Sequence, residues 1–262
     1  IVFVIAPRIN AVGRMGKADR AVQLLTTEDT DEARQSALVL ERENRRRKEV
    51  DTITFEEARS MLDEEYDSEH DAAVVLHKEG WHSGVIGIVA SRIVEEIYRP
   101  TVMIAVEDGV GKGSARSIAN FDIYEAISKC KEHLVDFGGH KYAAGLSIKP
   151  EKIGVFREQL NEIASNTLSE DDIEKKIHID REIELGLIDE KFVNLMNQFA
   201  PFGPANMRPL FLSRNVEIVG SPRIVGKKHL KFRVRNGREV LDVIGFGFAD
   251  LHYKAMSGLD IV

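Results

Sequence analysis

The fold is decided by the stretch Asp136-Phe137-Gly138-Gly139-His140-Lys141-Tyr142-Ala143-Ala144-Gly145. It follows a predicted helix and leads into a predicted strand over 146–149. We expect Gly138 and Gly139 to form a loop whose bare backbone N–H groups can face an anion, with His140 as a side-chain donor. An ordinary turn between a helix and a strand explains the same residues, so the stretch alone does not establish a phosphate site.

Two other glycine-bearing stretches also combine a flexible backbone with side-chain donors suited to phosphate. Residues 111–117 are predicted as a strand or loop whose donors are Ser114, Arg116 and Ser117. Residues 6–14, punctuated by Pro7 and Gly13, are predicted as a loop after an apolar strand at the start of the chain. The donors of that loop are Arg8, Asn10 and Arg14, although a capping loop with solvated charges explains them equally well.

A further anion-binding candidate, His82, stands just before a helix predicted over about 84–98, with Ser83 as its N-cap. The free N–H groups at a helix start attract anions, and His82 lies where it can add a donor. Trp81, its neighbour, is better explained as a packing residue.

Composition places limits on the class of protein. The chain has 262 residues, of which 43% are hydrophobic and 30% charged, with a single cysteine. One cysteine excludes a disulfide framework and a multi-cysteine zinc site, and is typical of a reducing, cytoplasmic location. No apolar run reaches the roughly 18 residues that cross a membrane. Because both ends of the chain read as strands, we expect a fragment of a longer protein.

The predicted fold class is α/β followed by β. Residues 30–66 contain neither Gly nor Pro and predict one long connecting helix, or two helices with a weak joint. Residues 72–165 alternate strands and amphipathic helices, which is typical of a compact α/β domain. Beyond a polar stretch at 166–175, a strand over 177–185 and four more at about 210–219, 222–226, 229–235 and 239–247 predict a small antiparallel barrel.

Charge is distributed unevenly between these parts. The net charge of the whole chain is −7, yet residues 208–238 hold 9 Lys/Arg and one acid, Glu217, for a local net of +8. Basic residues interleaved with aromatic ones on a small barrel are typical of binding to single-stranded nucleic acid. The basic residues that we expect to make such contacts are Lys227, Lys228, Lys231, Arg233 and Arg235.

No catalytic machinery is visible in the residues themselves. There is no His/Asp cluster with metal-ligand spacing, no obvious pair of carboxylates, and no Gly-x-Ser-x-Gly nucleophile elbow. The residues alone therefore favour recognition of phosphate or nucleic acid.

Five motifs taken together resemble one family. They are Pro7-Arg8-Ile9-Asn10-Ala11-x-Gly13-Arg14, the run 80–92 that begins Gly-Trp-His-x-Gly-Val-Ile-Gly, Gly113-Ser114-Ala115-Arg116-Ser117, Phe137-Gly138-Gly139-His140-x-x-Ala143-Ala144-Gly145 and Pro201-Phe202-Gly203-Pro204-Ala205-Asn206. In this order they resemble the C-terminal two-thirds of the RecJ family, single-stranded-DNA-specific exonucleases of the DHH phosphoesterase superfamily. The resemblance extends over nearly the whole chain.

The resemblance implies a domain organisation. Residues 1–27 would be the tail of a catalytic DHH domain, 28–69 a connecting helix, and 70–168 a DHHA1 domain that binds phosphate and DNA. Residues 169–262 would be a linker and an OB-fold that binds single-stranded DNA, truncated at its C-terminus.

The resemblance also implies an activity, namely 5′→3′ hydrolysis of single-stranded DNA with Mn²⁺ or Mg²⁺ in recombination and repair. The family holds its metal on the DHH domain, and this chain has no Asp-His-His sequence. We therefore expect no metal site in it and no activity from it alone. His140 would contact the phosphate at the cleft, Arg116 and Ser117 would hold the DNA backbone, and recombination and single-strand-binding proteins are possible partners.

Two other functions stay open at this point. The chain could be a binding module for single-stranded nucleic acid that takes part in no chemistry. It could also belong to the smaller DHH–DHHA1 phosphoesterases of short oligonucleotides, although the basic barrel and the 201–206 motif argue against this.

Overall fold

The computed structural model describes residues 3–203 and 205–256. The chain divides into two compact units, Ile1–Lys175 and Lys176–Val262. Within the described ranges, no helix is both long and apolar enough to cross a membrane.

The first unit begins with helices α1 (Ile5–Met15) and α2 (Asp19–Thr26). The predicted loop over 6–14 is therefore wrong, and so is the strand before it as far as residues 3–5; residues 1 and 2 lie outside the described range. Pro7 fits the first turn of a helix, because its missing N–H would have no partner there. Val12 turns inward and packs with Ala21, so the apolar residues of this segment follow a helical period.

Helix α3 (Thr30–Glu65) is one continuous helix of 36 residues, as the absence of Gly and Pro predicts. Asp29 caps its start by accepting from the N–H groups of Asp31 and Glu32. Its apolar stripe meets two different clusters. Leu40 packs with the residues of α1 and α2, whereas Ala58 and Leu62 pack in the cluster that contains α4.

A five-stranded sheet forms the centre of this unit, in the order β1-β2-β3-β5-β4. The strands are β1 (Val74–Glu79), β2 (Thr101–Glu107), β3 (Val110–Arg116), β4 (Leu134–His140) and β5 (Ala143–Ile148). β1 and β2 are parallel and are joined by helix α4 (Ser83–Ile97), and every other pairing is antiparallel.

Helices pack against both faces of this sheet. The apolar side of α4, including Ile86 and Ile93, packs on Met103 of β2. Helices α5 (Ile123–Lys129) and α6 (Ile153–Thr167) pack on the other face through Ile127 and Phe156. The first face is thus covered over β1, β2 and part of β3, which leaves the β5–β4 side of it open.

The Gly-Gly-His stretch is not a loop. Residues 138–140 are the last three of β4, and each pairs with a residue of β5 across a short turn at Lys141 and Tyr142. The glycine pair suggested a loop because glycine weakens a strand, yet glycine is also found where two backbones approach closely.

The second unit contains the three-stranded antiparallel sheet β10-β9-β8 and a two-stranded parallel pair, β6 with β7. The elements are β6 (Arg181–Glu182), α7 (Glu190–Asn197), β7 (Phe211–Leu212), β8 (Glu217–Val225), β9 (His229–Asn236), β10 (Glu239–Gly245) and α8 (His252–Met256). The described residues form no closed barrel. The two predicted strands at 210–219 and 222–226 are mostly one strand, bent between Val219 and Arg223 by an irregularity in the pairing.

Candidate nucleic-acid interface

The register of the sheet places three candidate residues on one row across the strands. Arg116 of β3 lies opposite Ala143 of β5, and Ala143 lies opposite His140 of β4. Neighbouring strands lie about 4.8 Å apart, so the backbones of Arg116 and His140 are about 10 Å apart. Because paired residues point to the same face, the two side chains leave the same side of the sheet.

Small residues occupy the space between these side chains. The next row along consists of Ser114, Gly145 and Gly138. Gly138 and Gly145 are exposed, whereas Ala144 and Leu146 on the opposite face are buried in the core. We call this surface the shelf, meaning residues Ser114, Arg116, Gly138, His140, Ala143 and Gly145. With no bulky side chain at its centre, a phosphodiester backbone can approach the strands closely.

The two glycines of the motif differ in what they do. A Cβ on Gly139 would lie 2.4 Å from the carbonyl oxygen of Ala143 and 2.5 Å from the Cα of Ala144, and its φ is +153°. A Cβ on Gly138 would meet no atom within 4 Å. Gly139 is thus required by the pairing of β4 with β5, while Gly138 keeps the shelf open.

We expect Gly139→Ala to lower the free energy of unfolding by about 2–4 kcal/mol, since the clash is with backbone that cannot move aside. Gly138→Ala is the matched control and should change it by less than about 0.5 kcal/mol. Urea unfolding of both variants, followed by circular dichroism, measures the difference. Equal stability of the two variants would contradict this assignment of Gly139.

A pocket with two positive charges adjoins the shelf where α1, α4 and β3 meet. Nη1 of Arg14 donates to the carbonyl oxygen of Gly84 at 3.3 Å, and Nη1 of Arg116 donates to Oγ of Ser114 at 3.2 Å. Burial, and then the positive charge of Arg14, lower the pKa of the Arg116 guanidinium. Among the described residues, neither guanidinium is paired with a carboxylate. We call this group the arginine pocket, meaning Arg14, Ser114 and Arg116.

Gly87 makes the arginine pocket possible, although it was not among the residues predicted for the site. A Cβ there would lie 2.7 Å from Oγ of Ser114 and 2.9 Å from Nη2 of Arg116. The signal available in the sequence was a pair of glycines, Gly84 and Gly87, three residues apart on one face of an amphipathic helix. Such glycines indicate that another segment passes close to the helix.

The other candidates of the first unit are placed differently. Arg8 is bound to Glu41 of α3, and Asn10 is exposed on α1, so of the three donors in this segment Arg14 alone reaches the pocket. Ser117 donates its hydroxyl to the carbonyl oxygen of Phe121 at 2.8 Å. His82, rather than Ser83, is the N-cap of α4, because its Nδ1 accepts from the N–H of Gly84 at 3.0 Å.

His140 is exposed at the end of β4, and its Nδ1 accepts from the N–H of Tyr142 at 3.3 Å. In a neutral imidazole, an Nδ1 that accepts leaves the proton on Nε2. The ring of Tyr142 lies edge-on to it, with centroids 6.4 Å apart. His140 therefore presents Nε2–H as a donor from one side of the shelf.

In the second unit, basic residues line the exposed face of the middle strand β9. Lys231, Arg233 and Arg235 alternate with Leu230, Phe232 and Val234, which are buried. Arg235 is paired with Glu217 at 2.6 Å, so its charge is partly neutralised. Lys231, Arg233 and the neighbouring Arg223 line a cavity of about 390 Å³, together with Asp242 of β10, which lies opposite Arg233. Lys227 and Lys228 are exposed in the turn that precedes β9.

No group of three or more His, Cys, Asp or Glu residues within the described ranges could hold a metal ion. The residues present therefore do not fit a Mn²⁺ or Mg²⁺ site, and no step of a reaction is assigned to a metal held by them.

The fold and the motifs define a class of protein, a DHHA1 domain followed by an OB domain. Residues 70–166 match the family model of the DHHA1 domain, and residues 179–262 match that of the RecJ OB domain. The chain accordingly belongs to the RecJ family and corresponds to the DHHA1 and OB region of those proteins.

Individual relatives agree with this assignment. The single-stranded-DNA-specific exonuclease RecJ of Bacillus subtilis is 38% identical over 259 residues, which are 98% of this chain and 33% of the relative. The RecJ of Thermus thermophilus is 37% identical over 244 residues, which are 91% of this chain and 34% of the relative. The chain thus spans about a third of the length of these two relatives.

Solved structures show the same fold. The crystal structure of RecJ in complex with Mg²⁺ from Thermus thermophilus superimposes with a TM-score of 0.79 at 33% identity, covering 95% of this chain and 38% of that one. The corresponding complex with Mn²⁺ gives a TM-score of 0.77. The divalent ions belong to those longer chains.

Proposed function

We propose that this chain supplies the substrate-binding part of a 5′→3′ single-stranded-DNA exonuclease that acts in recombination and repair. The observation that carries the proposal is the meeting of the arginine pocket and the shelf. Two guanidinium groups and a hydroxyl lie at one side of a surface of small residues, and an imidazole N–H lies at the other side. Among the described residues, no carboxylate forms an ion pair with either guanidinium group. This is the chemistry that recognises phosphate.

Each group has a distinct part in the proposed function. Arg116 binds a phosphate oxygen, and Arg14 holds a second oxygen or the next phosphate. His140, on the far side of the shelf, donates Nε2–H to the phosphate at which the bond is broken and stabilises negative charge that develops there. The divalent ion that supplies the nucleophile is held by other parts of the parent protein, so this chain alone binds DNA without cleaving it.

The domains divide this work between them. In the proposal, residues 1–27 are the tail of the catalytic domain, 28–69 the connecting helix, 70–168 the phosphate-binding domain and 169–262 the linker and an OB-fold that binds the single strand. The protein acts in the cytoplasm, and recombination and single-strand-binding proteins are its proposed partners.

The test is the salt dependence of binding. We expect the chain to bind a fluorescein-labelled oligo-dT, with the logarithm of Kd rising linearly with the logarithm of the salt concentration. The double variant Lys231→Ala/Arg233→Ala should reduce the slope by about 1.4, since each single-strand phosphate contact contributes about 0.7. Binding is measured by fluorescence anisotropy between about 50 and 300 mM salt. Over this range the Debye length falls from roughly 14 to 6 Å, so contacts with phosphate weaken.

A matched control removes two charges elsewhere. Arg34 and Arg42 are exposed on α3, so Arg34→Ala/Arg42→Ala makes the same change of net charge on an acidic surface. This control should leave the slope unchanged. An equal effect of both double variants would show that binding depends on net charge alone and not on the β9 surface. Turnover of DNA by the purified chain with Mn²⁺ would contradict the assignment of the metal to the rest of the parent protein.

A further inference from the structure

Two phenylalanines just after the β10 strand are exposed. The side chain of Phe246 is 71% exposed and that of Phe248 is 53% exposed, in a sheet that buries Phe232. An isolated exposed aromatic residue needs no explanation, but a group of them beside positive charge points to a binding surface.

Phe246 is held in place by its neighbours. The ring of His229 stands edge-on against it, with centroids 5.2 Å apart and an interplanar angle of 74°. Nδ1 of His229 accepts from the N–H of Gly247 at 3.1 Å, which fixes both the imidazole and the backbone next to Phe246. These contacts fix the position of Phe246, while most of its side chain remains exposed to a ligand.

Glycines on both sides allow this arrangement. A Cβ on Gly245 would lie 2.8 Å from the ring of Phe248, so this position must be glycine for Phe248 to pack across it. Gly247 has φ +81°, a conformation that favours glycine. The Gly-Phe-Gly-Phe sequence therefore builds a fixed turn that presents Phe246.

Positive charge lies directly beside this turn. The carbonyl oxygen of Lys228 accepts from the N–H of Ala249 at 3.3 Å, which joins the basic turn at 227–228 to the segment that carries the two phenylalanines. Along β9, His229 lies on the same face as Lys231 and Arg233, at a spacing of about 6.8 Å for every second residue. The aromatic surface at one end is thus continued by Lys231 and then by Arg233, which lies opposite Asp242 of β10.

We infer that Phe246 is a stacking platform for an unpaired nucleobase, with His229 fixing the platform and Lys227, Lys228 and Lys231 holding the flanking phosphates. An aromatic face accepts any base, while the cations follow the strand. The inference rests on the proposed binding of single-stranded DNA and adds a subsite to it. A surface that bound only a protein partner would not require the cations of β9, and of the turn before it, to lie beside Phe246.

The test compares two oligonucleotides of equal length and charge, an oligo-dT and an abasic oligomer that has the same phosphodiester backbone without bases. We expect Phe246→Ala to weaken binding of oligo-dT by roughly 5-fold or more, the range for losing one stacked base. Binding of the abasic oligomer should stay within about twofold, because it has no base to stack. Tyr253→Ala removes another exposed aromatic side chain of the same unit and is the control, expected to change neither affinity.

A spectroscopic measurement supports the same conclusion independently of affinity. The chain has one tryptophan, Trp81, which is 3% exposed. Phe246→Trp would therefore add a single exposed fluorophore, and we expect oligo-dT to quench it while the abasic oligomer does not.

The outcomes distinguish a failure of the stacking subsite from a failure of the proposed binding function on which it rests. If Phe246→Ala leaves oligo-dT binding unchanged, or weakens both oligomers equally, the stacking platform is wrong and the binding function stands. If the unaltered chain binds neither oligomer at low salt, the proposed function itself fails, and the platform with it.

Discussion

Replacing His140 with alanine in a full-length protein that carries this sequence should lower the turnover of single-stranded DNA by about 100- to 1000-fold, the cost of losing one donor to developing charge. The Kd for DNA should change by less than about threefold, because His140 is one exposed donor among several phosphate contacts. Single-turnover cleavage together with anisotropy separates the two quantities. Equal losses of turnover and affinity would make His140 a positioning contact.

The neighbouring residue provides the control for this experiment. Lys141 is exposed in the same turn, and its Nζ lies 5.5 Å from the centroid of the Tyr142 ring. Lys141→Ala removes a charge next to His140 without touching the imidazole, so turnover should stay within a few-fold. His140→Gln, which retains an N–H donor of similar reach, should recover part of the activity that alanine loses.

Arg116→Ala should weaken binding of single-stranded DNA by about 100-fold, because it removes charge-assisted hydrogen bonds from a partly buried site, at about 1.5–3 kcal/mol for each bond. Arg116→Lys should recover little, since an ammonium group cannot make the two-pronged contact of a guanidinium. Titration of a labelled oligonucleotide measures each affinity.

Gly87→Ala tests the same pocket without changing its charge. The added methyl group would displace the flexible end of Arg116, so the fold should survive while affinity falls by roughly tenfold, about half the energetic loss of Arg116→Ala. Arg34→Ala, on an exposed part of α3, serves as the charge control. If Arg116→Ala weakens binding no more than Arg34→Ala does, the arginine pocket is not a phosphate site.

The parts of the fold that were predicted from the sequence are those with a long, regular pattern of residues. The long helix predicted over 30–66 and the amphipathic helix predicted over about 84–98 are both present in the structure, as α3 and α4. The prediction was wrong where a residue type is common in two different kinds of local structure. Pro7 is of a type that ends many helices but lies in the first turn of α1, and Gly139 resembles a loop residue but permits close pairing of two strands. Of the predicted barrel, the described residues contain a three-stranded antiparallel sheet that does not close, and the pairing of distant strands cannot be read from local sequence.

The candidate site was predictable in its residue types but not in its grouping. Ser114, Arg116 and His140 were recognised as donors, and the strand register then places them on one surface. Arg14 separates from Arg8 because a helix points them in different directions, which a loop prediction could not anticipate. Gly87 and Phe246 carry no charge, so their importance emerged only from what lies against them.

The length of α3 sets the distance between the two parts of the fold that carry Arg14 and Arg116. Arg14 comes from a helix that packs on α3 near Leu40, whereas Arg116 belongs to a sheet that is joined, through α4, to α3 near Ala58. These contacts are about 18 residues, or about 27 Å, apart along one rod. Each inserted residue would turn one end by about 100° relative to the other. Substitutions at exposed positions of this helix should therefore be tolerated, whereas a change in its residue count would separate the two guanidinium groups.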